Sequence, residues 1–183
     1  MDPLQAVIPA VPTIPRKTIF MADLTYDVQQ KATNDAYEAA LRKGRWRSVK
    51  SWALRRCNDL LPTRRLLSRL ENQTPQHVGV AMIPIDRVVG SAGRSLDFDL
   101  SFAPRNQATR ERWQRVAKAI QDGIHLAPIR VLKVGDAYFV EDGNHRVSVS
   151  SMAGRDAILA DVYELPTDEL EPDQSCSRLG YKV

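Results

Sequence analysis

The run Ile129 to Val140, IRVLKVGDAYFV, restricts the possible folds more than any other stretch of the chain. Two segments rich in apolar and β-branched residues, Ile129 to Val134 and Ala137 to Val140, flank Gly135-Asp136. Such an arrangement reads as two strands around a tight turn, because glycine accepts the positive φ that the turn demands. A helix is expected ahead of them, from about Thr109 to Asp122, where Trp113, Val116, Ala117 and Ile120 share one face and Gly123 supplies the stop. The β-branched run VGVAMIPIDRVVG, after the polar break ENQTPQH, reads as a strand, as does Ala157 to Tyr163. Ahead of the helix, SAGRSLDFDLSFAPRNQ has the Gly, Ser, Asp and Pro content of a long loop, and such loops are usually functional or disordered.

The segment YFVEDGNHRVSVSS, residues 138–151, admits two readings. In one, Asp142-Gly143 is a hairpin turn and Val147, Ser148, Val149 and Ser150 alternate along a return strand. In the other, a strand leads through Gly143 into a helix that opens at Asn144, with its first N–H groups and Arg146 facing open space. Local composition leaves the two evenly matched, since valine and serine are poor helix formers and Asp-Gly is a strong turn signal. Only the second reading builds an anion site.

The first third of the chain is helical and basic. A helix is expected from Tyr26 to Arg42 with Gly44 as its end, and a second from Arg45 to Leu61. Along the second, Trp46, Val49, Ala53, Cys57 and Leu60 form an apolar stripe that assigns Trp46 to the core. Pro62 then opens a short third helix. Residues 42–69 hold ten basic residues against the single acid Asp59, although the whole chain carries only +4. That asymmetry fits either a solvated charged face or a polyanion partner, DNA or an acidic partner surface, with Arg45, Arg47, Lys50, Arg55 and Arg56 as the candidate nucleic-acid contacts.

Pro3, Pro9, Pro12 and Pro15 break the apolar start, so it reads as an extended arm rather than a signal peptide. No run approaches the length needed to cross a bilayer, and Cys57 and Cys176 make no disulfide framework. The expected compartment is a reducing cytoplasm, without membrane contact. The 183 residues, 43% of them hydrophobic, suit one domain with an extension.

The series IPIDRVVG, FAPR and RVAKAIQDGIHLAPIRVLKVGDAYFVEDGNHRVSVSSMAGRDAILADVYEL resembles the amino-terminal domain shared by ParB-type partition proteins and sulfiredoxin. In that superfamily an amphipathic helix ends at a glycine, a Pro-Ile-x-Val strand follows, and a second strand leads into a Gly-x-x-Arg turn that opens a helix. Gly123, Pro128 to Val131, Ala137 to Val140, and Gly143-Asn144-His145-Arg146 take those places here. The resemblance therefore selects the helical reading of residues 138–151. Asn144 stands near its cap, Val149 and Met152 share its buried face, and Gly154 ends it.

The relatives imply different chemistry at this turn. Sulfiredoxin reads Gly-Cys-His-Arg; Asn144 stands in place of the cysteine, which removes the thiolate nucleophile and with it sulfinic acid reduction. ParB-type proteins carry Gly-Glu-Arg-Arg-x-Arg-Ala, which holds the triphosphate of CTP; Gly143 and Arg146 match, and Ser148 replaces the last arginine. The free-serine kinase of the superfamily reads Asp-Gly-His-Thr-Arg, a spacing followed by Asp142 to Arg146, and this implies a base or metal-ligand role for Asp142 or Glu141. FAPR resembles the Asn-Pro-Arg box of ParB, whose arginine helps hold nucleotide, with Ala103 in place of the asparagine and Arg105 as the arginine. Arg94 and Asp97 lie in the same loop, where they could close over a ligand.

The expected fold is α+β: a small mixed β-sheet with flanking helices of the ParB/sulfiredoxin type, preceded by a helical extension. Its parts are an extended arm at 1–25, a basic helical extension at 26–75, the ParB/sulfiredoxin-like domain at 80–165 and an acidic tail at 166–183. The leading function is nucleotide-phosphate binding by Gly143, Asn144, His145, Arg146 and Arg105, in a regulatory or DNA-associated role. The ligand is a nucleoside di- or triphosphate (CTP, ATP or ADP), with or without Mg²⁺, and no metal ligand set is identified. The alternative is a small-molecule kinase or phosphohydrolase using Asp142 or Glu141. A plainer reading of the turn pairs Arg146 with Asp142 or Glu141 as a structural brace. A homodimer is among the assemblies considered.

Overall fold

The computed structural model describes residues 16–54, 58–62 and 74–165, with side chains described from residue 28 onward. The acidic tail, the first fifteen residues, and Arg55, Arg56 and Cys57 lie outside the described residues.

A mixed sheet of six strands organises the molecule in the order β1 (Leu61–Pro62), β3 (Val88–Ser91), β5 (Ala137–Asp142), β4 (Ile129–Val134), β6 (Ala157–Leu165) and β2 (Gln76–Pro84). β4 and β5 form the antiparallel hairpin around Gly135-Asp136, placing Leu132 opposite Phe139. β6 runs parallel to β4, with Leu132 opposite Tyr163, while β2 closes one edge antiparallel to β6. VGVAMIPIDRVVG is two strands rather than one. Pro84, which lacks an N–H to extend a ladder, precedes a 3₁₀ turn at Ile85–Arg87, and the two halves sit far apart in the sheet.

Residues 138–151 are β5, a glycine turn and α3 (Asn144–Met152), where α1 is Arg16–Ala53 and α2 is Arg110–Gln121. The alternating valines and serines suit this helix because it is buried on both sides. Val147 packs into the sheet core with Val131 and Val140, and Val149 packs on the other side with Tyr37, Trp113 and Ala117. Ser148 accepts a hydrogen bond from the Trp113 indole at 2.9 Å, so its hydroxyl is satisfied in the interior. A third cluster, Leu132, Val134, Phe139 and Leu165, covers the opposite sheet face.

The amino-terminal part departs most from expectation. α1 is one continuous helix that begins directly after Pro15, so residues 16–25 are helical and not an extended arm. Gly44 does not end it. The backbone at Ala103-Pro104 crosses the helix there, and a Cβ on Gly44 would lie 2.8 Å from the Pro104 carbonyl oxygen, so glycine serves close approach. The helix stops at Ala53, short of Leu61; Pro62 belongs to a two-residue strand parallel to β3, and the short third helix expected after it lies outside the described residues. Trp46 is exposed, contrary to its expected core position, because the buried side of α1 runs through Tyr37, Leu41 and Gly44. No described helix is long and apolar enough to cross a membrane.

Candidate functional site

β5 delivers Glu141 and Asp142 at its carboxyl end, and the chain then turns at Gly143 with φ 109°. A Cβ at this position would lie 2.5 Å from Ile129 Cγ2, so both conformation and space require glycine. The turn lets the β5 strand pass directly into α3. The first N–H groups of α3 lack intrahelical partners and carry the positive end of the helix dipole.

That helix end opens on a cleft of about 480 Å³, walled by Gly93 and Arg94 from the long loop and by Arg112 and Val116 from α2. Asn144 and His145 line it while being only 6% and 5% exposed. Asn144 Oδ1 and His145 Nε2 are buried without a hydrogen-bond partner among the described residues. Phe98 packs edge-on against the imidazole at 5.3 Å and holds its orientation. Burial foremost, then the charges of Arg94 and Arg112, pushes the His145 pKa down to about 4; Asp97 opposes the shift and Arg115 adds to it. The imidazole is therefore neutral near pH 7, in a local field dominated by arginine.

The long loop is ordered by a buried carboxylate. Asp99 accepts from the Ser101 and Ala103 N–H groups at 2.9 and 2.8 Å, while Phe98 and Phe102 insert into the core. Burial pushes the Asp99 carboxyl up, opposed by those backbone donors, by the charge of Arg47 and by Asn58. Arg94 projects from this loop into the cleft wall and pairs with Asp97 at 3.0 Å.

The structure brings Glu141, Asp142, Gly143, Asn144, His145 and Arg146 to one cleft. Arg146, expected as a phosphate ligand or, in the plainer reading, as a brace to Asp142, lines the cleft with its guanidinium engaged in the turn. Its guanidinium donates to the carbonyls of Ala127 and Pro128 and to Asp142 Oδ2, the last at 2.6 Å, tying the turn to the entry of β4. Glu141 pairs with Arg130 at 3.2 Å. Arg105 lies outside the cleft lining, held 2.7 Å from Asp59. Arg112 is the cation that sequence reading missed. Its only signal was its position one helical turn before Val116, at the border of the apolar stripe.

Of the candidate DNA contacts, Arg45 and Lys50 are exposed. Arg47 is half-buried near Asp99 with one guanidinium nitrogen unpartnered, so it belongs to the packing of the loop; Arg55 and Arg56 lie outside the described residues. Among the described residues no group of three or more His, Cys, Asp or Glu comes together.

A family model for the ParB N-terminal domain matches residues 70–172, over half of the chain. Among solved structures, sulfiredoxin from Arabidopsis thaliana is similar at 17% identity, covering 46% of this chain and 84% of that one, with a TM-score of 0.34. No curated protein matches.

Proposed function

The chain belongs to the ParB N-terminal domain family, and we propose that it holds the phosphates of a nucleoside di- or triphosphate at the amino end of α3, as a regulatory nucleotide-binding module. One observation carries the reading: two polar side chains, Asn144 and His145, are buried with unpartnered atoms at a helix amino terminus that faces a cleft walled by Arg94 and Arg112. An unsatisfied buried polar atom costs about 1 to 3 kcal/mol, and a ligand that completes it recovers that cost.

Phosphate suits each partner. The free N–H groups donate without reorganisation, and the dipole favours negative charge. A neutral imidazole donates from Nε2 in one tautomer, and the Asn144 amide presents its NH₂ when rotated end over end. Arg94 and Arg112 supply charge, and a forked guanidinium can take two phosphate oxygens at once. The acids of the turn do not oppose this strongly, since Asp142 and Glu141 are each paired with an arginine. The Arg146 brace acts one step back by fixing the turn that aims the donors.

Melting curves with a nucleoside and its mono-, di- and triphosphates, with and without Mg²⁺, test this. At about 100 times the dissociation constant a di- or triphosphate should stabilise the fold by about 2.7 kcal/mol, while the nucleoside leaves it unchanged. Arg94→Ala and Arg112→Ala should each weaken binding roughly tenfold. Equal shifts from nucleoside and nucleotide would remove phosphate as the recognised group. In the same samples the nucleotide should be recovered intact. Phosphate release that Asp142→Asn abolishes would instead support a phosphotransferase or phosphohydrolase.

A further inference from the structure

We infer that the exposed surface of α1 from Arg42 to Leu54 binds single-stranded nucleic acid, with Trp46 and Trp52 stacking on bases and the flanking cations holding phosphates. Tryptophan rarely stands in solvent without a reason, yet Trp46 and Trp52 are 70% and 73% exposed, with Val49 and Leu54 also exposed. At about 100° per residue, Arg42, Trp46, Val49, Lys50 and Ala53 fall on the side of the helix opposite Tyr37, Leu41 and Gly44. Arg45 and Trp52 lie off that face, about 100° and 120° round the axis from Trp46, yet both are exposed. The tryptophans are roughly 9 Å apart along the axis and about 120° apart around it, so a single strand engages both by wrapping round this end of the helix.

Charge selects the partner. From Arg42 to Leu54 the chain has no acidic residue, and Arg42, Lys43, Arg45 and Lys50 make no ion pair among the described residues. A second copy docked on this face would set like charge against like charge. A membrane surface calls for a continuous apolar stripe opposite a separate polar face. Here the two are interleaved, as in Arg45-Trp46 and Lys50-Ser51-Trp52, which sets stacking rings beside phosphate-binding cations. Duplex DNA keeps its bases stacked internally and would use the cations while leaving the indoles idle. The face lies apart from the α3 cleft, and its residues are absent from the cleft lining.

Tryptophan fluorescence reads this directly, because the remaining tryptophan, Trp113, is buried. Titration with an oligothymidylate of about 12 nucleotides should quench emission, with a slope of log affinity against log salt of about −3 for four phosphate contacts. Because the variants lack the reporting indoles, their binding is read by the anisotropy of a fluorescently labelled oligonucleotide: Trp46→Ala with Trp52→Ala should weaken it about tenfold or more, and Trp46→Phe with Trp52→Phe should restore most of it. Arg45→Glu with Lys50→Glu should flatten the salt slope. Substitution at these exposed positions leaves the core intact, and an unchanged melting temperature confirms folding of each variant. Three results would each overturn the inference: no quenching, equal affinity for duplex with no effect of the alanine variants, or quenching by phosphatidylserine vesicles but not by the oligonucleotide. None of them bears on nucleotide binding at α3, since the melting assay is independent.

Discussion

At Gly143 a single hydrogen atom in place of a side chain decides whether β5 can pass into α3. Gly143→Ala forces a methyl group onto Ile129 and an L-residue into the left-handed region, so it should cost about 2 to 4 kcal/mol in urea unfolding. Two residues further on, His145 is held neutral with a pKa of about 4, below its ordinary 6.5. The unfolded chain thus takes up a proton near pH 6.5 and the folded chain only near pH 4. His145 therefore contributes fully above about pH 6.5, and about 3 kcal/mol of stability is lost between that pH and pH 4. Unfolding free energies at pH 7 and pH 4.5 should differ less in His145→Gln than in the parent; an identical pH dependence would deny His145 that role. Arg146 shows where residue-level reading reaches its limit. Its type and spacing were visible in Gly-x-x-Arg, but its occupation by two carbonyls and Asp142 depends on residues 127 and 128 folding back beside it.

Whole elements were legible where a pattern is local. The hairpin at Gly135-Asp136 and the stripe of α2 each stand on residues adjacent in sequence, and the structure places them as expected; the turn into α3 is evenly matched by a hairpin on local composition, and the family resemblance selects it. α1 was not legible. Glycine near a helix end ordinarily marks a stop, and only the later crossing by Ala103-Pro104, some sixty residues away, gives Gly44 a different purpose. This leads to an inverted mutational result. In an open helix Gly→Ala stabilises by about 1 kcal/mol, whereas Gly44→Ala should destabilise by about 1 to 3 kcal/mol by thermal or urea unfolding. The Asp99 loop should behave as a unit with the cleft. Asp99→Ala frees the Ser101 and Ala103 N–H groups, costs about 2 to 3 kcal/mol, and should weaken nucleotide binding through loss of the Arg94 position. Full affinity in a still-folded Asp99→Ala protein would separate the loop from the site.

On the scale of the whole molecule, positive charge is divided between two surfaces. One is the concave wall of Arg94 and Arg112 around the amino end of α3; the other is the convex face of α1. The ligands we propose for them differ: a compact phosphate group in the cleft, and an extended strand on the helix. The central claim is that the amide groups at the start of α3 meet phosphate. Amide ¹H–¹⁵N spectra recorded during titration with a nucleoside triphosphate report on those groups one by one. The largest shifts should fall on Asn144, His145 and Arg146, with smaller ones near Gly93 and Arg94, and inorganic pyrophosphate should reproduce the first set. Saturable binding that leaves the amides of residues 144–146 unmoved would place the phosphates elsewhere and contradict the account.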